Sequence, residues 1–128
     1  MSLRSSLGKV EGLGAAKEGA HHWWVQRMTS VALVLLTLWF VASLVHLGSF
    51  DYAVVHAWLA KTMNTVLMLL LATVAIYHSQ LGVQVVVEDY VNHHGAKLTV
   101  LMLINFLHLL LAALAAFAIL RVAFGAST

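Results

Sequence analysis

Three long apolar runs constrain the fold of this chain more than any other feature of its sequence. They extend from about 28 to 47, 62 to 87 and 98 to 124, and each is long enough to cross a hydrocarbon core of roughly 30 Å. A segment inside lipid must satisfy its own backbone hydrogen bonds, which an α-helix does. The sequence therefore predicts an all-α fold, a three-transmembrane-helix bundle segment.

The composition supports a membrane protein and excludes several kinds of chemistry. Hydrophobic residues make up 62% of the 128 residues and charged residues only 9%, which is too little charge to cover a soluble domain. The absence of cysteine excludes disulfides, thiolate metal sites and cysteine nucleophiles in this chain. A net charge of +2 gives no argument for nucleic acid. Eight histidines beside so few charges make a metal or haem site worth testing.

The polar residues 1–26 are expected to form an N-terminal cytoplasmic or interfacial arm, followed by a transmembrane domain over 27–128. Basic residues cluster on one side of the predicted membrane, where five of the seven lie, namely Arg4, Lys9, Lys17, Arg27 and Lys97. Lys61 and Arg121 lie on the other side. Cytoplasmic segments carry the excess of Lys and Arg, so the sequence predicts a cytoplasmic N-terminus and a multi-pass inner-membrane protein.

His78 lies inside the second apolar run, where an ionisable side chain is energetically expensive and usually functional. On a helix, His78, Gly82, Val85 and Asp89 share one face. Gly82 leaves room there for something flat and bulky. A rise of about 1.5 Å per residue places Asp89 roughly 16 Å from His78. This face suits a cofactor inside the membrane and a polar-headed ligand near its surface.

Each of these residues also has a structural interpretation. His78 could simply hydrogen-bond a neighbouring helix, and this interpretation is favoured for His108 in the third span. Position alone favours Arg27 as an interfacial charge over a contact for a carboxylate. Asp89 and Tyr90 could be a helix-end acid and an interfacial aromatic. The functional interpretations are a haem, with His78 as the imidazole and Arg27 and His21 or His22 near its propionates, and a quinone, with Tyr90 as donor and Asp89 as relay. The residues alone support these interpretations and the structural ones about equally.

A family resemblance separates these interpretations. The chain resembles the smaller cytochrome b membrane anchor, the D subunit, of succinate:ubiquinone oxidoreductase, or respiratory complex II. The similarity lies in His78 followed after ten residues by Asp89-Tyr90, and in His21 followed six residues later by Arg27. Leu7-Gly8-Lys9 and the stretch 22–29, HWWVQRMT, are also similar to members of the family.

The resemblance implies specific roles. His78 would be one axial ligand of a haem b shared with a partner anchor subunit, and His108 would have no part in it. Arg27 and His21 would meet the haem propionates. Tyr90 would hydrogen-bond a ubiquinone carbonyl, and Asp89 would support Tyr90 or the proton path. Succinate oxidation itself would belong to other subunits.

The resemblance also implies partners. These are a second membrane anchor of cytochrome b type, an iron–sulfur subunit, a flavoprotein subunit and the lipid membrane, in a bacterial rather than a mitochondrial inner membrane. Two alternatives remain at this stage. One is a cytochrome b anchor of another membrane redox enzyme, and the other is a non-redox membrane assembly or transport subunit.

Overall fold

The computed structural model describes residues 16–125 and the side chains of 19–125. Most of the predicted arm, with Leu7-Gly8-Lys9, lies outside the described residues. Within these residues four helices follow one another: α1 (Ala16–His46), α2 (Tyr52–Leu59), α3 (Thr62–Tyr90) and α4 (His94–Phe124). The three long helices are apolar and long enough to cross a membrane. The predicted all-α fold with three spans is confirmed.

The long helices extend beyond the apolar runs at several ends. At about 1.5 Å per residue, the 31 residues of α1 span roughly 46 Å, which exceeds the hydrocarbon thickness. Its first turns therefore carry the polar residues before 27 in the same helix as the first span. At the other end, Gly48 has a φ of +75°, a conformation that favours glycine and that turns the chain away after His46.

The segment 48–61 lies between the first two predicted spans, where the absence of a long apolar run predicts a short loop. This prediction was wrong, because the segment contains helix α2. A helix of eight residues is too short to cross lipid, so its sequence has no long apolar run that would reveal it. Similarly, α3 continues three residues past the predicted span to Tyr90, and α4 begins at His94. Hydropathy marks where lipid contact ends, whereas hydrogen bonding decides where a helix ends.

Helix α3 is the centre of the structure. It packs against α1 on one side and α4 on the other, and within the described residues α1 and α4 do not contact each other. The three spans thus form an open row rather than a closed bundle. Few side chains are buried as a result, and many large apolar side chains are exposed along all three spans.

The corner between α2 and α3 is held by two polar side chains of α3. Asn64 donates from Nδ2 to the carbonyl of Trp58 at 2.7 Å, and the buried Thr65 donates from Oγ1 to the carbonyl of Leu59 at 2.6 Å. Both carbonyls belong to the last turn of α2, where the helix itself offers no partner. These bonds fix the direction in which the chain re-enters the membrane.

Thr65→Val is expected to destabilise this corner by about 1–3 kcal/mol, because it leaves a buried carbonyl without its donor while preserving volume. The measurement is the thermal unfolding midpoint of the detergent-solubilised protein. Thr65→Ser keeps the hydroxyl and serves as the control. A Val variant as stable as the Ser variant would contradict the role of this hydrogen bond.

Candidate functional site

His78 of α3 is held by two polar residues of α1. The Nδ1 atom of its ring lies 2.8 Å from Thr29 Oγ1, and its Nε2 atom lies 3.4 Å from Gln26 Nε2. Both contacts are partly buried and join residues about fifty positions apart in the chain. The imidazole that the sequence singled out therefore sits at the packing interface between α1 and α3.

A cavity of about 980 Å³ lies between the same two helices, and we call it the α1–α3 cleft. Helix α1 lines it with Gly19, His21, His22, Trp23, Val25, Gln26 and Arg27, and α3 with Tyr77, Leu81, Gly82, Gln84, Val85 and Glu88. Its volume is at the upper end of the range for small-molecule and cofactor sites, roughly 300–1,000 Å³. Its lining combines apolar walls with a few polar groups, as such sites do.

Two residues that line the cleft each have a buried polar atom without a hydrogen-bond partner. Among the described side chains, His22 Nε2 and Gln26 Oε1 are buried and unpaired. An unpaired buried polar atom is costly, and native proteins retain few of them without a reason such as a bound ligand. Both atoms belong to residues that line the α1–α3 cleft.

Gly82 marks open space in the wall of the cleft. A Cβ atom built there would lie 3.8 Å from Gln26 Nε2, which is an ordinary van der Waals contact. The chain's own packing therefore does not require glycine at this position. The missing side chain, one turn from His78, instead widens the cleft where a flat group would lie.

The two residues predicted to meet propionates, His21 and Arg27, both line the cleft. Arg27 is exposed, and its guanidinium lies 5.1 Å from the centroid of the Trp23 ring, in a cation–π contact. The aromatic ring steadies the charge at the membrane boundary. The structure therefore places Arg27 where it can serve both of the roles considered for it, as an interfacial charge and as a contact for an anion.

Asp89 and Tyr90 lie in the last turn of α3 and are exposed, with Tyr90 81% accessible. Neither lines the cleft, which reaches along α3 only as far as Glu88. Glu88 in turn accepts a hydrogen bond from Gln84 at 2.7 Å. The structure thus brings His21 and Arg27 into one cleft with Gln26, a neighbour of His78. The predicted quinone pair lies outside that cleft, at the exposed end of α3.

His108 belongs to α4 and contacts the side of α3 that faces away from α1. It is buried, with Nδ1 2.8 Å from the carbonyl of Ile104 and Nε2 3.4 Å from Ser79 Oγ. Nearby, Gln80 donates to Asn105 Oδ1 at 2.9 Å. Both ring nitrogens of His108 thus have partners between α3 and α4, and these contacts agree with the structural interpretation. No residue of α4 lines the cleft.

Gln26 and Thr29 contact His78, although neither is distinguished by the sequence alone. A signal for them exists, because His22, Gln26 and Thr29 are spaced i, i+4 and i+7 and form a polar stripe on one face of α1. That stripe faces α3 through Gln26 and Thr29. Polar residues near a membrane boundary are common, so this stripe has the same sequence pattern as ordinary interfacial residues.

Three apolar helices, and a cleft next to an intramembrane histidine that contacts its lining residue Gln26, define a multi-pass membrane subunit with a cofactor-sized cavity. A family model for the succinate dehydrogenase/fumarate reductase transmembrane subunit matches residues 1–120. The chain belongs to this family, as the sequence resemblance indicated.

Individual relatives agree with the family. A succinate dehydrogenase hydrophobic membrane anchor subunit from Rickettsia conorii is 31% identical over 104 residues, covering 80% of this chain and 82% of the relative. The protein of the same description from Paracoccus denitrificans is 27% identical over 117 residues, covering 91% and 90%. A succinate dehydrogenase membrane anchor subunit from Reclinomonas americana is 29% identical over 84 residues, covering 63% and 68%. The three spans and the bacterial relatives indicate a multi-pass bacterial membrane protein.

Proposed function

We propose that this chain anchors a succinate:ubiquinone oxidoreductase in the membrane, holds one side of a haem b, and contributes to the site of quinone reduction. The observation that carries the proposal is the position of His78, an intramembrane imidazole held by α1 beside a cleft with unpaired polar atoms. An ionisable residue at such a depth is expected to be functional.

The α1–α3 cleft fits a haem by its chemistry. His78 contacts the lining residue Gln26 without lining the cleft itself, and it would offer an imidazole from there. Gly82 leaves wall space, and Arg27 with His21 would supply positive charge and donors for propionates. His22, whose Nε2 is unpaired, would be a further donor or acceptor for the propionates. When bound, haem supplies one-electron transfer. Because His78 provides a single axial ligand, the second would come from the partner anchor subunit.

Gln26 has a distinct part in this proposal. Its Nε2 contacts His78 Nε2 at 3.4 Å, so the amide covers the nitrogen that would face an iron. Its Oε1 is buried and unpaired, so the present position does not satisfy the whole amide. Gln26 would turn aside on haem binding and pair its oxygen elsewhere.

Quinone reduction would take place at the end of α3. The phenolic O–H of Tyr90 would donate a hydrogen bond to a quinone carbonyl. Asp89 would position Tyr90 or pass protons to the site. Quinone reduction takes up protons, and both residues lie at the exposed end of α3 where water can supply them. The exposure of Tyr90 in the single chain implies that the rest of the site comes from another subunit.

The exposed faces of the row of helices provide the contacts that such a complex needs. Large apolar side chains along α1 and α4 remain uncovered and would pack against lipid and the second anchor subunit. The iron–sulfur and flavoprotein subunits would dock on the cytoplasmic side, where the excess of Lys and Arg places the N-terminus. Electrons from succinate would reach the quinone through those subunits.

A visible difference spectrum, reduced minus oxidised, of the detergent-purified complex tests this proposal. Reduction by succinate is expected to produce the bands of a low-spin b-type haem, and the flavoprotein and iron–sulfur subunits should copurify. A complex with these subunits but no haem would overturn the haem assignment. Purification without them would favour a non-redox membrane subunit.

His108→Leu is expected to leave the haem spectrum unchanged, because His108 lies between α3 and α4 with both nitrogens paired. The variant should be less stable by roughly 1–3 kcal/mol, because it leaves buried polar groups unpaired. The two measurements are the difference spectrum and the thermal midpoint of the complex. A lost or shifted haem band would assign His108 to the cofactor site.

A further inference from the structure

The hydroxyl of Thr29 has three neighbours that could share its hydrogen bonds. Its Oγ1 lies 2.9 Å from the carbonyl of Val25 and 3.0 Å from the carbonyl of Gln26, both on its own helix. It lies 2.8 Å from His78 Nδ1 on α3. A hydroxyl has one hydrogen to donate and two lone pairs that accept.

The roles of these atoms follow from what each can do. Carbonyl oxygens only accept, so the Thr29 hydrogen is directed along its own helix toward Val25 and Gln26. The Thr29 oxygen then presents a lone pair to His78, and the ring must donate its Nδ1–H. The neutral imidazole therefore carries its hydrogen on Nδ1 and its lone pair on Nε2.

The contact on the other ring nitrogen is compatible with this tautomer. Gln26 Nε2 lies 3.4 Å from His78 Nε2, and an amide nitrogen donates and does not accept. With the amide in this orientation, His78 Nε2 accepts. The tautomer itself is assigned from the contacts of Thr29.

We infer that Thr29 is a positioning residue for His78: its hydroxyl fixes the imidazole with Nδ1 as donor, so that Nε2 carries the lone pair that would bind iron once the Gln26 amide turns aside. This inference rests on the proposed function, in which His78 is an axial ligand. Histidines that bind metals generally donate their second N–H to an oxygen, which fixes the ring orientation and raises its basicity as a ligand. Thr29 supplies that oxygen from a neighbouring helix.

Two consequences follow for the loaded site. A more basic imidazole stabilises the oxidised iron, so the hydrogen bond from His78 to Thr29 lowers the reduction potential of the haem. A ring fixed by α1 also has a defined rotation about its bond to the iron. Loss of the hydroxyl should therefore raise the potential and change the electron paramagnetic resonance signature of the oxidised haem.

The test compares Thr29→Val, Thr29→Ser and Ser30→Ala in the purified complex. Val preserves the shape of Thr without the hydroxyl, and Ser restores the hydroxyl. Ser30 is the matched control, because its hydroxyl also donates to the Gln26 carbonyl, at 2.8 Å. The measurements are haem content, the midpoint potential of the haem and the largest g value of the oxidised haem.

Thr29→Val is expected to raise the midpoint potential, shift the g value, and weaken haem retention about tenfold or more. Thr29→Ser and Ser30→Ala should resemble the wild type. A Val variant with wild-type potential and g value, in a complex that contains haem, would overturn the inference alone. A wild-type complex without haem would instead overturn the proposed function, and the inference with it.

A second measurement decides the matter if the Val variant fails to assemble. Electron–nuclear double resonance of the oxidised wild-type haem, in H₂O and in D₂O, detects the exchangeable proton on the ligand ring. We expect that proton on Nδ1 of His78, identified by ¹⁵N-labelled histidine. Any neutral imidazole bound through Nε2 has this proton, so the hydrogen bond is tested by the coupling of the exchanged deuteron, which depends on an oxygen acceptor beside it. A coupling that shows no such acceptor would overturn the inference.

Discussion

His78→Leu should remove the b-type haem from the complex or convert its spectrum from low-spin to high-spin. The leucine side chain is similar in size to the histidine side chain but has no lone pair, so the iron would lose one of its two axial ligands. The polar pair that now contacts the ring, Thr29 and Gln26, would face an apolar side chain. The measurements are the difference spectrum and the haem content per complex.

His108→Leu is the matched control for this experiment, because it makes the same exchange in an adjacent helix on the far side of α3. A His78→Leu complex with normal haem content and a normal low-spin spectrum would contradict the ligand assignment. In that event His78 is a packing residue that joins α1 to α3, and other residues provide both ligands of the haem.

Tyr90→Phe should lower the rate of succinate-driven quinone reduction about tenfold or more, since it removes the donor to the quinone carbonyl. Reduction of an artificial acceptor that takes electrons directly from the soluble subunits should remain normal. The measurement is the ratio of these two rates, with a soluble ubiquinone analogue as substrate. The haem spectrum should also stay normal, because Tyr90 does not line the α1–α3 cleft.

Tyr52→Phe is the control for Tyr90→Phe. Tyr52 begins α2 on the opposite side of the membrane and is also largely exposed, so it shares the interfacial character of Tyr90 without the proposed role. Equal ratios of the two rates in both variants and the wild type would show that Tyr90 is an interfacial aromatic. The quinone would then be bound by other residues.

The spans and His78 could be predicted because each has a strong local signal. An apolar run of twenty residues has few alternatives to a membrane helix, and an imidazole within one is conspicuous. Helix α2 had no such signal, since its eight residues include His56 and Trp58 and are typical of a membrane boundary. The sequence predicted which residues cross lipid better than where each helix ends.

The partners of His78 could not be predicted in the same way. Thr29 and Gln26 become significant only when α1 packs on α3 in a particular register, which the periodicity of either helix alone does not determine. The environment of Tyr90 could not be predicted either, because in the proposed function it would depend on a surface of another subunit. The sequence indicated residues that matter, and the fold showed which of them act on one another.

In the proposed function, the open row of helices would make cofactor binding and assembly thermodynamically linked. Among the described residues, the cleft is lined by α1 and α3 alone, and α4 does not contact α1. A subunit packed against α1 and a cofactor in the cleft would both stabilise the same arrangement of α1 on α3. Each event should therefore favour the other by the same factor. We expect cells starved of haem to accumulate less of the assembled complex, and cells lacking the second anchor to leave this chain without its cofactor.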